Sequence, residues 1–168
     1  GVLGPNGAGK TTLCRCLLGL QSNTMGRVEV GGFNLPDLNE SQRRRVRQRV
    51  GYVPQVLPVS GELPLTVREV VAMGRTAKAG LFRGLTGSDW EVVDRWLERL
   101  GLSTLAQRTY TELSGGEQRK TLIARALTQE PEILVLDEPG AYLDLGWRER
   151  LVECITDLRG DPRLTLVL

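Results

Sequence analysis

Gly4-Pro5-Asn6-Gly7-Ala8-Gly9-Lys10-Thr11-Thr12 carries the groups that bind polyphosphate, in the spacing that such binding needs. Gly4, Gly9, Lys10 and Thr11 fit the pattern G-x-x-x-x-G-K-[ST]. Glycines allow backbone N–H groups to curl around phosphate oxygens, and a following helix points its positive end at them. Lys10 adds a mobile cation for the terminal phosphates, and the Thr11 hydroxyl is a hard oxygen ligand for Mg²⁺. A plain Gly-rich turn between strand and helix has no need of Lys and Thr directly after it.

Two further groups carry chemistry. Asp137-Glu138 follows the apolar run Ile133-Leu134-Val135-Leu136. In open α/β sheets ligands bind beyond the carboxyl ends of the strands, which is where this pair is placed. Asp137 suits a Mg²⁺ site, and Glu138 suits a base that orients and deprotonates a water for attack on a γ-phosphate. The second group is Leu113-Ser114-Gly115-Gly116-Glu117. Ser114 and Glu117 make a capping box, but two glycines in a first helical turn each cost about 1 kcal/mol against alanine. That weakness makes sense if an anion must approach bare backbone amides there.

The elements that position these groups alternate between strand and helix. A helix is expected from Thr11 to Leu20, with Leu13, Cys14, Leu17 and Leu18 on neighbouring rows. A short strand, Arg27 to Val30, closes at Gly31-Gly32, and a strand at Val50 to Val53 runs into Pro54-Gln55. From Leu65 to Leu105 the pattern is helical. Thr66 with Glu69 forms one capping box, in a helix ending near Gly74. Ser88 with Glu91 forms another, with an apolar stripe of Val93, Trp96, Leu97 and Leu100 before Gly101. This stretch reads either as a small helical lobe or as ordinary crossover helices. A helix from about Glu117 to Gln129 turns Leu122, Ile123, Ala126 and Leu127 inward. Ile133 to Leu136 reads as a parallel strand covered on both faces. A helix from about Trp147 to Arg159 and a strand at Leu164 to Leu168 complete the order. With so little ahead of Gly4 and an apolar run at Leu168, the chain is expected to be a fragment truncated at both ends.

Composition narrows the function classes. At 168 residues, 40% hydrophobic and 25% charged, the chain suits one globular domain with a small lobe. The net charge of +2 is unevenly spread: five arginines lie between Arg43 and Arg49. Val46 and Val50 are spaced i, i+4 among them, so the cluster reads as the solvated face of a short helix rather than a nucleic-acid surface. No apolar run approaches the roughly 20 residues needed to span a membrane. The chain has no histidine, which excludes histidine catalysis within it. Cys14 and Cys16 fall on different helix faces and Cys154 is distant, so they do not form a metal site, and a reducing cytosol fits.

Taken in order, the Gly4–Thr12 loop, Gln55 after Tyr52-Val53-Pro54, Leu113–Glu117 followed by Gln118, Ile133–Pro139 and Leu143-Asp144 resemble the motifs of ATP-binding cassette (ABC) ATPases. The resemblance spans nearly the whole chain. It implies an α/β P-loop NTPase of ABC type. Its mostly parallel core would comprise 1–55 and 113–168, with a helical subdomain at 56–112. It also implies ATP and Mg²⁺ as cofactors and a head-to-tail dimer with a second ABC subunit. Each ATP would then lie between the loop of one subunit (Gly4, Pro5, Asn6, Gly7, Ala8, Gly9, Lys10, Thr11, Thr12) and Ser114, Gly115, Gly116 and Glu117 of the other. Metal contacts would come from Thr11, Asp137 and Gln55, and the catalytic pair would be Glu138 and Gln55. Asp144 would lie at the dimer interface, near Gly140, which stands where Ser or Thr is common. The stacking aromatic and the switch histidine of the family would fall outside the chain, so the isolated fragment is expected to be weakly active or inactive.

The function implied is the motor of a membrane transporter at the cytoplasmic face, with a groove near Gln55 passing motion to transmembrane permease subunits. The segment Thr66–Arg75 resembles importers of iron–siderophore, haem or cobalamin complexes. The alternative is a soluble ABC ATPase acting on ribosomes, DNA or cluster assembly. DNA-repair members are disfavoured because the stretch from Lys10 to Ser114 holds no sustained heptads. No nucleic-acid partner is expected.

Overall fold

The structure is a computed structural model that describes residues 1–2, 4–5, 7–21, 26–54, 64–79, 84–137, 146, 149, 153, 156 and 164–167. Helix α1 (Lys10–Leu17) leads to strands β1 (Glu29–Val30) and β2 (Phe33–Asn34), helix α2 (Glu40–Arg49) and strand β3 (Val50–Val53). Helices α3 (Val67–Ala79), α4 (Gly87–Arg99) and α5 (Gly115–Thr128) follow, then β4 (Ile133–Leu136) and β5 (Thr165–Val167).

Strand β4 is the centre of a parallel sheet in the order β3-β4-β5. Its side chains divide between two clusters, as a pleat with period two requires. Leu134 and Leu136 join α3, α4 and α5 on one face, whereas Val135 joins Cys14 and Leu18 of α1 and Val46 of α2 on the other. Both faces are therefore covered, the environment that the uninterrupted apolar run predicts. Gln129 fixes the entry to the sheet: its side-chain amide Nε2 donates to the carbonyls of Arg47 and Gln48 at 2.9 Å.

The Gly31-Gly32 pair does more than end a strand. Both residues have positive φ (57° and 81°), so they turn β1 back onto β2 as an antiparallel hairpin. The β2 strand is too short for any periodicity to announce it. The arginine-rich helix forms where the i, i+4 spacing places it, capped by an Asn39–Gln42 box. Val46 is buried, while Val50, its partner in that spacing, opens β3 instead. Arg47 pairs with Glu40 and Arg49 with Glu132, so the cluster is in part neutralised.

Three local expectations need correction. Gly74 lies inside α3, not at its end, because α5 crosses so closely that only a residue without Cβ fits. The cap of α4 is Thr86 with Asp89 rather than Ser88 with Glu91. Asp89 also binds Arg75, which selects the earlier register. Leu13 is 44% exposed, since α1 turns Cys14 and Leu18 inward. The Thr66–Glu69 box forms as expected, with Thr66 N donating to Glu69 Oε2 at 2.8 Å. The stripe of α4 buries Val93, Leu97 and Leu100 before Gly101 at φ 64°. Within the expected 147–159 helix, Glu149, Glu153 and Thr156 are helical, and the rest lies outside the described residues.

Candidate functional site

The loop before α1 has the shape of an anion cradle. Gly7 and Gly9 have φ of 83° and 87°, a backbone region that residues with side chains rarely adopt. Gly9 is the N-cap of α1, so the cap itself supplies no side-chain oxygen, and no acidic residue stands in the first turn. The positive end of α1 thus has no acidic residue in its own first turn beside it. The turn is tight: Ala8 N donates to Pro5 O at 3.2 Å, and a Cβ on Gly4 would lie 3.2 Å from that of Ala8. Lys10 Nζ folds back to donate to the carbonyls of Gly4 (2.9 Å) and Pro5 (3.0 Å). Its ammonium is therefore held over the loop it belongs to.

Asp137 stands immediately after β4 and is 4% exposed. Its backbone N–H donates to Val53 O at 3.0 Å, extending the pairing of β3 and β4 by one residue. Two groups feel its charge. Burial first, and the Asp137 charge second, push both the Tyr52 phenol and the Cys14 thiol up from their ordinary values. Cys14 is one turn along α1 from Thr11, so the face of α1 that carries Thr11 is the face turned toward Asp137. The structure therefore brings the loop, Thr11 and Asp137 to one end of the sheet. Among the described residues, no hydrogen-bond partner reaches Asp137 Oδ2. A buried carboxylate oxygen left in this way fits a hard, hydrated cation such as Mg²⁺.

At the start of α5 the capping box is complete. Ser114 Oγ accepts from Glu117 N at 3.3 Å, and Glu117 Oε2 accepts from Ser114 N at 2.8 Å and from Ser114 Oγ at 2.7 Å. These bonds from Ser114 hold the Glu117 carboxyl below the usual range, so it is ionised at neutral pH. Gly115 and Gly116 add no side chain to cover the helix end. Asn6, Gln55, Glu138 and Asp144 lie outside the described residues.

Sequence reasoning passed over Arg119. It is 3% exposed on α5, where it donates to the carbonyls of Pro54 and Asp137. A signal was available, because Arg119 falls i−3 and i−4 from the inward-facing Leu122 and Ile123. A charge on a buried helical row calls for a partner. Among the described residues there is no cluster of three or more metal-ligating side chains, and no helix long and apolar enough to cross a membrane.

Comparison with known proteins identifies the family. The family described as "ABC transporter" matches residues 1–141. The "Cobalamin import ATP-binding protein BtuD" of Halobacterium salinarum is 45% identical over 158 residues, 94% of this chain and 38% of the relative. The "Zinc uptake system ATP-binding protein ZurA" of Listeria innocua is 36% identical over 169 residues, covering 100% of this chain and 63% of the relative. Among solved structures, an inward-facing "putative metal-chelate type ABC transporter" superposes with a TM-score of 0.78 at 34% identity, covering 99% of this chain and 60% of that one. A dimeric, post-hydrolysis ATP-binding cassette bound to ADP and Pi gives a TM-score of 0.84 at 27% identity, over 97% of this chain and 70% of that one. The chain thus spans less than two thirds of the curated relatives described.

Proposed function

The chain belongs to the ABC transporter family, and from that premise we propose that it forms the ATP-binding and ATP-hydrolysing core of an importer's motor subunit, of the metal-chelate type. The carrying observation is the convergence of an uncapped α1 N-terminus, Lys10 and the buried Asp137 at one end of a parallel sheet. A relative named for cobalamin import and a structural neighbour described as metal-chelate type support the cargo class.

In this reading the amides of Gly4–Thr12 enclose the β- and γ-phosphates. Lys10 leaves the carbonyls of Gly4 and Pro5 for the terminal phosphate oxygens. The exchange is favourable because it replaces two neutral acceptors by charged ones. Thr11 and Asp137, with Gln55, hold Mg²⁺, which when bound offsets negative charge on the phosphates. Glu138 orients the attacking water and accepts its proton as the oxygen bonds to the γ-phosphorus and the bond to departing ADP breaks, with Gln55 acting beside it through its Mg²⁺ contact. Ser114, Gly115, Gly116 and Glu117 present the α5 amides to the triphosphate of a second subunit, with Asp144 at the contact between the two. Residues 56–112 act as the helical lobe, against which transmembrane permease subunits dock at the cytoplasmic face of the membrane.

The test uses the full-length protein. Glu138→Gln should bind ATP and accumulate as a stable dimer, whereas the parent protein turns ATP over and returns to monomer. Persistent monomer at saturating ATP and Mg²⁺ would contradict the paired-site reading. Co-purification with an integral membrane subunit distinguishes an importer motor from a soluble ATPase.

A further inference from the structure

Tyr52 places a hydroxyl where packing alone asks for none. Its ring stands against the cluster of Cys14, Leu18 and Val135 on the α1 side of the sheet. A phenylalanine ring would fill that place as well, so the hydroxyl needs its own account. The β3–β4 register supplies one. Tyr52 pairs with Val135 in the parallel ladder, and the ladder runs one step further where Asp137 N donates to Val53 O. Side chains alternate along a strand, so Asp137, two residues after Val135, turns to the same face as Tyr52. With strands about 4.8 Å apart and a rise of about 3.3 Å per residue, the two backbones stand about 8 Å apart. A phenol ring and a carboxylate side chain close that span between them.

A side-chain hydrogen bond joins the Tyr52 phenol to Asp137. The phenol O–H donates and a carboxylate oxygen accepts. Asp137 Oδ2 meanwhile has no hydrogen-bond partner among the described residues. The carboxylate is thus held by its neighbour and still has an oxygen to offer. We propose that Tyr52 is a positioning residue for the metal of this site, its hydroxyl holding the Asp137 carboxylate so that Oδ2 is presented to a divalent cation. This inference rests on the reading above that Asp137 holds Mg²⁺. Carboxylates that bind a metal depend on such outer partners for their orientation, and loss of one typically costs about 10–100-fold in metal affinity.

The experiment uses the full-length protein loaded with ADP, with Mn²⁺ standing in for Mg²⁺ and its free fraction read by electron paramagnetic resonance. The parent is compared with Tyr52→Phe, which removes the hydroxyl and keeps the packing ring, and with Asp137→Asn. We expect half-saturating Mn²⁺ to rise about tenfold in Tyr52→Phe, while ADP affinity measured in EDTA stays within about twofold. A Mn²⁺ affinity within about twofold of the parent would overturn the inference and leave Tyr52 a packing residue. So would an equal loss of ADP affinity in EDTA, because the defect would then lie in the nucleotide loop and not at the metal. If Asp137→Asn also leaves Mn²⁺ binding unchanged, the Mg²⁺ assignment of Asp137 falls together with this inference. If Asp137→Asn loses Mn²⁺ and Tyr52→Phe does not, this inference falls alone.

Discussion

Gly74 and Arg125 mark the closest crossing of α3 and α5: a Cβ placed on Gly74 would lie 2.1 Å from the Arg125 carbonyl oxygen. The same atom would come within 2.2 Å of Thr128 Oγ1, which donates to Val71 O at 2.9 Å. Neither neighbour is the free end of a flexible side chain. A backbone oxygen and a bonded hydroxyl must both move, and the helices must separate.

Gly74→Ala should therefore destabilise the protein, although alanine is the better helix former. Overpacking of this kind costs about 1–3 kcal/mol, and the propensity gain returns only about 1. Denaturant unfolding of the parent and variant would measure the difference. A stabilised variant would show that α3 and α5 are not pressed together at this point.

A second relationship locks α4 onto the same pair of helices. Arg75 Nη2 lies 2.9 Å from Asp89 Oδ1 and its Nη1 2.8 Å from Glu130 Oε2. Thr86 first, through its hydroxyl and then its backbone N–H, and Arg75 next, hold the Asp89 carboxyl down at about 2 against an ordinary 3.8. A depressed carboxyl contributes stability that is fully present above 3.8 and is lost as pH falls toward about 2. Asp89→Asn should leave a shallower loss of stability across that acid window than the parent shows, as followed by acid-induced unfolding. Identical slopes would mean that these bonds do not form in solution.

How far these features were legible follows from what makes them local. Ser114–Glu117, Thr66–Glu69 and the run Ile133–Leu136 are set by neighbours within a few residues, so their signals survive in the sequence. The Gly4–Thr12 loop is legible for the same reason. Gly74 is different. Its reason for being glycine is the backbone of α5, some fifty residues on, and in sequence it looks like a helix terminator. Asp89 wins its cap over Ser88 and Glu91 because Arg75 reaches it from another helix. Arg119 needed knowledge that Pro54 and Asp137 end side by side, which only the β3–β4 register supplies.

Loss of the Lys10 ammonium should weaken nucleotide binding more than folding. Its bonds to the Gly4 and Pro5 carbonyls are made at an exposed loop, where water can take its place. Lys10→Ala is thus expected to unfold within about 0.5 kcal/mol of the parent. A charge-assisted bond to phosphate contributes about 1.5–3 kcal/mol, so ATP affinity should drop at least tenfold. Calorimetric titration of the full-length protein with ATP would measure it, and an unchanged affinity would remove the phosphate-loop assignment.

Glu117 holds two roles that a single substitution separates. As the box partner of Ser114 it accepts from the Ser114 N–H and hydroxyl, a role that glutamine also fills. As a carboxylate ionised at neutral pH it places negative charge at the helix end proposed to meet a second subunit's triphosphate. Glu117→Gln keeps the first role and removes the second. Removing one like charge in a water-exposed contact is worth on the order of 1 kcal/mol, or about fivefold in an equilibrium. In a Glu138→Gln background, where hydrolysis does not undo the dimer, Glu117→Gln should therefore lower the ATP concentration for half-maximal dimerisation by about fivefold. Thermal stability of the monomer should change little. If dimerisation needs the same ATP or more, the α5 N-terminus does not face the nucleotide, and Gly115 and Gly116 need another explanation.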